Sequence, residues 1–107
     1  MATKDYLETL QTTILLRYNC KAIHRETAFV QEKTGNAIVW EGNVEVFDLK
    51  GHKSAKECYA WTDSPKSGRL KVVTVLGSHL IDSAPKAVQA AIFTDVQRPG
   101  AKQDPLP

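Results

Sequence analysis

At 107 residues, 42% of them hydrophobic and 24% charged, the chain suffices for one small soluble globular domain and is too short for two. A formal net charge of +2 lacks the clustered basic excess of an electrostatic nucleic-acid binder. No segment reaches the roughly 18 consecutive apolar residues of a membrane span. The N-terminus shows neither the apolar run nor the small-residue cleavage site of a secretory signal, so a cytoplasmic location is expected, with Cys20 and Cys58 as reduced thiols.

Residues 3–18 predict a helix. Thr3 is its N-cap, Asp5 lies in the first turn, and Leu7, Leu10, Ile14 and Tyr18 form an apolar stripe that Asn19 stops. Residues 21–33 predict a strand with broken alternation, since Ile23 and Phe29 share one parity and Ala28 and Val30 the other; a bulge or two-sided burial accounts for that. Gly35 suits the first central position of a two-residue hairpin turn.

Strands over 37–49 and 55–63 follow, two alternating β-branched and aromatic runs around a short loop. Setting Leu49 opposite Ala55 puts Val44 across from Ala60 and Val46 across from Cys58 on one side. The other side then pairs Glu45 with Tyr59, Phe47 with Glu57 and Asn43 with Trp61. Gly42 marks a bulge or a close backbone approach.

Residues 63–68 read as a loop, and Leu70–Leu76 as a fourth strand. A last helix begins near the N-cap Ser83, with Pro85 in its first turn and Ala84, Val88, Ala91, Ile92 and Val96 as its stripe. The result is an α+β fold of two layers, a four-stranded antiparallel meander with both helices on one face. It spans residues 1–97 as a single domain, and residues 98–107 form a flexible tail containing proline and glycine. Small residues such as Cys58 and Ala60, with Val44 and Val46, are expected to face the helices. Phe47, Tyr59, Trp61, Val73 and Val75 would then form an exposed apolar patch, the signature of a partner or ligand.

The order of elements resembles a double-stranded-RNA-binding domain with an extra strand, Leu70–Leu76. In the segment Ser83–Ala91, which matches that family's phosphate-holding helix start, only Lys86 carries the corresponding charge, and Pro85 stands where a basic residue belongs. The hairpin turn Lys33-Thr34-Gly35-Asn36 lacks the family's Pro and His. The resemblance therefore implies a fold more than RNA binding. Separately, Val39-Trp40-Glu41-Gly42, Val44–Phe47 and Cys58-Tyr59-Ala60-Trp61 look similar to small uncharacterised bacterial proteins, which implies a bacterial cytoplasmic protein and carries over no site.

The chemistry-bearing residues are sparse. Glu41 and Glu45 share a strand side but lie about 13 Å apart, beyond the roughly 5–9.5 Å of a glycosidase pair, and read as solvated acids. His24, His52, His79, Cys20 and Cys58 show no metal-ligand spacing, so no catalytic residue, cofactor or metal is expected. Three readings follow: a non-enzymatic binding module forming a homodimer through Phe47, Tyr59, Trp61, Val73 and Val75; an RNA binder using the same aromatics with Arg69, Lys71 and Lys86; and a small-molecule or enzymatic site between sheet and helices.

Overall fold

The computed structural model describes residues 3–63 and 71–97, with side chains through 92. Arg69 and the expected 98–107 tail lie outside the described residues, as do residues 64–68 of the expected loop, Leu70 of the expected fourth strand and the Val96 side chain. The elements follow as α1 (Lys4–Tyr18), β1 (Lys21–Thr34), β2 (Ala37–Lys50), β3 (Glu57–Asp63), β4 (Lys71–Leu76) and α2 (Ala84–Gln97). They form an α+β fold around one antiparallel sheet of order β1-β2-β3-β4. No helix among the described residues is long and apolar enough to cross a membrane.

Local chemistry sets the ends of the elements. The Thr3 hydroxyl accepts the Tyr6 N–H at 3.1 Å, and Asn19 takes the left-handed conformation (φ 54°) while donating to the Leu15 carbonyl. Gly35 has φ 63°, and Thr34 pairs with Ala37, so Gly35-Asn36 is a two-residue turn with glycine at its first central position. The β1 bulge sits at Arg25, between the pairs His24–Phe47 and Glu26–Val46, and a second irregularity follows Glu32. Gly42 is no bulge. It pairs with Val30, and the Trp40 ring lies over it at 3.2 Å from where a Cβ would stand.

Two expectations are corrected. The β2–β3 register is one residue from the one proposed: Glu45 pairs with Ala60, Val46 with Tyr59, Phe47 with Cys58 and Asp48 with Glu57. A single-residue slip sends paired side chains to the opposite face. The helices also do not share a face. Val30, Val44, Val46, Tyr59 and Trp61 pack with Ala84, Ala87 and Val88 of α2. Ala22, Phe47, Cys58 and Ala60 pack with Leu10 and Ile14 of α1. These sheet residues alternate along β2 and β3, so α1 and α2 cover opposite faces.

The patch expected to be exposed is therefore core. Phe47 is wholly buried under α1; Tyr59 and Trp61 are buried under α2, where Val73 and Val75 are partly buried. Phe47 does not even share a face with the others. Small residues do not meet small residues here: the alanines of α2 receive the largest side chains of the sheet, because close packing interlocks unlike sizes.

Arg25 straps one end of the sheet, donating to Asp48 at 2.7 Å and Glu57 at 2.9 Å, while the Tyr59 hydroxyl donates to Glu57 at 2.7 Å. Gly77 packs into this cluster: a Cβ there would stand 2.5 Å from Glu57 Cγ. Because Glu57 is held by two partners, Gly77→Ala should cost about 1–3 kcal/mol in urea unfolding. Adding Glu57→Ala should recover part of that loss, a coupling that an unstrained site would not show.

Candidate functional site

The short β3 and β4 leave the α2 face of the sheet incompletely filled. A cleft of about 470 Å³ lies there, floored by Trp40 and Trp61 and walled by Ile81, Val88, Ala91 and Ile92. Trp40 and Trp61 reach it from neighbouring strands and meet edge to face, with ring centroids 5.6 Å apart. The Trp40 indole N–H donates to Asp63 Oδ1 in a long 3.4 Å bond. Asp63 is the ladder partner of Lys71, so an acid and a base close the end of the cleft. Trp61 is buried, and its indole N–H has no acceptor among the described residues. An unpaired buried donor costs about 1–3 kcal/mol, so it calls for an explanation.

Arg17 enters from α1 around the β4 edge. Its guanidinium donates to the Thr74 hydroxyl at 2.9 Å and the Val72 carbonyl at 3.1 Å. Among the described residues the cleft is lined mainly by apolar and aromatic side chains, with Arg17, Lys71 and Asp63 as the charged groups. This is the usual make-up of a ligand pocket, hydrophobic walls with a few convergent polar groups.

Compared with models of known families, with curated proteins and with solved structures, the chain matches none.

The other face carries a second polar group of residues. Glu45, expected to be a solvated acid, is 1% exposed; its Oε1 accepts the Thr27 hydroxyl at 2.5 Å and meets His24 Nε2 at 2.8 Å. The Arg25 bulge brings His24 and Thr27, three residues apart, to the same side. The His24 ring also stands edge-on to Phe47 at 5.4 Å. A buried carboxylate that receives a histidine and a hydroxyl is a satisfied polar anchor beneath the strand pair. Glu41 remains exposed and accepts from Gln31 at 2.7 Å. Glu57 does not approach Glu45, because it faces the Arg25 cluster instead.

The remaining sequence candidates stay apart. Cys20 and Cys58 are free thiols buried in the α1 core, and burial pushes the Cys58 thiol up to about 12. A thiol held protonated is a poor nucleophile. Among the described residues, no three His, Cys, Asp or Glu side chains converge as metal ligands do. Lys86, named as a phosphate contact, pairs with Asp82 at 3.0 Å and holds its carboxyl below the usual range. Lys71 is exposed and reaches the cleft. Trp40, Asp63, Arg17 and Ala91 were not among the site residues expected from sequence, although Ala91 was placed on the apolar stripe of the last helix. Trp40 and Trp61 shared one faint signal, an aromatic on each of two neighbouring strands.

Proposed function

We propose that this protein is a small binding module whose ligand seat is the cleft between α2 and the sheet. The observation that carries this reading is the tryptophan-floored space of about 470 Å³, charged at one end. The pairing of the Trp40 and Trp61 rings in that lining supports it further, because two aromatic faces offer an apolar ligand a large contact. Self-association through Phe47, Tyr59 and Trp61 loses its basis, because both helices already cover those side chains. The same burial withdraws the rings that RNA bases would stack on.

Both tryptophans of the chain line the cleft, so their fluorescence reports its occupancy. The probe 1-anilinonaphthalene-8-sulfonate, an apolar ring system with one negative charge, should bind saturably at one site and quench that emission. Ala91→Leu should abolish the binding while leaving cooperative unfolding intact, because leucine fills the cleft and suits a helix. Equal binding to the wild type and to Ala91→Leu, or no binding at all, would sink the proposal.

A further inference from the structure

We infer that the cleft takes an extended acidic peptide, added as a short fifth strand at Thr74 on the outer edge of β4, beside the Val72 carbonyl that Arg17 engages; this rests on reading the cleft as a ligand seat. The Gly77 N–H donates to the Glu57 carbonyl at 2.8 Å, which marks Glu57–Gly77 as a hydrogen-bonded pair of the β3–β4 ladder. Such pairs alternate along antiparallel strands. The pairs 59–75, 61–73 and 63–71 therefore bond to each other, whereas Val72, Thr74 and Leu76 turn their backbone groups away from β3. Arg17 confirms the direction, because it reaches the Val72 carbonyl from outside the sheet. The N–H and C=O of Thr74 face outward together, and no described backbone group outside the sheet pairs with them.

The cleft follows this edge. It is lined by all of Lys71, Val72, Val73, Thr74 and Val75, although only alternate ones point toward α2. An added strand would bond Thr74 and drop every second side chain between Trp61 and α2, as edge-strand peptide readers do. The two sheet edges also differ. β1 is guarded by Lys21, Arg25, Glu26, Glu32 and Lys33, whereas β4 carries only Lys71.

Charge selects the partner. Arg17 bonds only neutral oxygens, and among the described residues neither it nor Lys71 forms an ion pair. Asp63, the carboxylate lining the cleft among the described residues, is engaged by Trp40. A peptide carboxylate beside the residue that pairs with Thr74 would meet both cations. A second copy pairing β4 with β4 about Thr74 would instead set Arg17 against Arg17.

The test is selection of a displayed random dodecapeptide library on the intact protein, with removal of peptides that also bind Ala91→Leu. Enriched sequences should alternate apolar residues with Asp or Glu. The synthetic peptide should lose roughly tenfold in affinity on Lys71→Glu, and more in high salt. It should also slow hydrogen exchange of the Thr74 amide by roughly tenfold or more. Basic or charge-indifferent peptides, an unprotected Thr74 amide in the complex, or Thr74 protection that rises with protein concentration alone would each overturn the inference. If the naphthalene probe binds and no peptide is enriched, strand addition fails while the cleft reading stands. If neither binds, both fail.

Discussion

Replacing Phe47 by alanine should destabilise the protein by about 3–5 kcal/mol, and Trp61→Ala should do the same, with both read by urea unfolding followed at the helical circular-dichroism band. Each is the largest buried apolar side chain on its face, Phe47 against Leu10 and Ile14, Trp61 against Ala87 and Val88. Removing either leaves a cavity that a helix crossing the sheet cannot collapse into without losing its other contacts. The two packing clusters are separate, so the losses should add to about 6–10 kcal/mol, a large part or all of the roughly 5–15 kcal/mol typical of a small domain. The two-layer arrangement suggested by sequence predicts otherwise. On an exposed face each truncation would fall within about 0.5 kcal/mol, as Leu16→Ala, 79% exposed on α1, should. Small losses at Phe47 or Trp61 would return one sheet face to solvent and revive self-association through it.

What the sequence made legible is what local chemistry decides. Thr3, Asn19 and Gly35 each act within a few residues of themselves, and each ends its element as expected. The broken alternation of β1 left a bulge or two-sided burial open, and the register shift at Arg25 is the bulge. The β2–β3 register was not legible. The loop between those strands is too long for turn geometry to set the pairing, and apolar residues occupy both parities of Val44–Phe47 and Cys58–Trp61. Such two-faced runs mean burial on both sides, and a helix on each face supplies it. The cleft was less legible still. Arg17, Trp40, Asp63 and Ala91 come from α1, β2, β3 and α2, and no spacing rule links them. Glu45 was misread for the same reason. Its partners His24 and Thr27 reach it only because Arg25 shifts the register of a different strand.

Alkaline solution should unfold the protein through its thiol core before its surface charges matter. Burial raises Cys58 from 9.0 to about 12 and raises Tyr59 as well, the latter helped by its hydrogen bond to Glu57. In both cases the folded state favours the neutral form. The unfolded chain therefore loses these protons first, and stability falls as pH rises. The Cys58 contribution is intact below the ordinary thiol value and declines above it by about 1.4 kcal/mol per pH unit, to a total of about 4 kcal/mol. Above the ordinary tyrosine value, Tyr59 steepens the decline. Urea midpoints from neutral pH upward should thus bend down near the thiol value and bend again near the phenol value. Cys58→Ala should remove the first bend and keep the second. If the variant and the wild type decline in parallel, Cys58 ionises inside the folded protein, which requires water at Phe47 and Ala60. The packing of α1 against the sheet would then be looser than its buried side chains imply, and the large loss argued for Phe47→Ala would shrink with it.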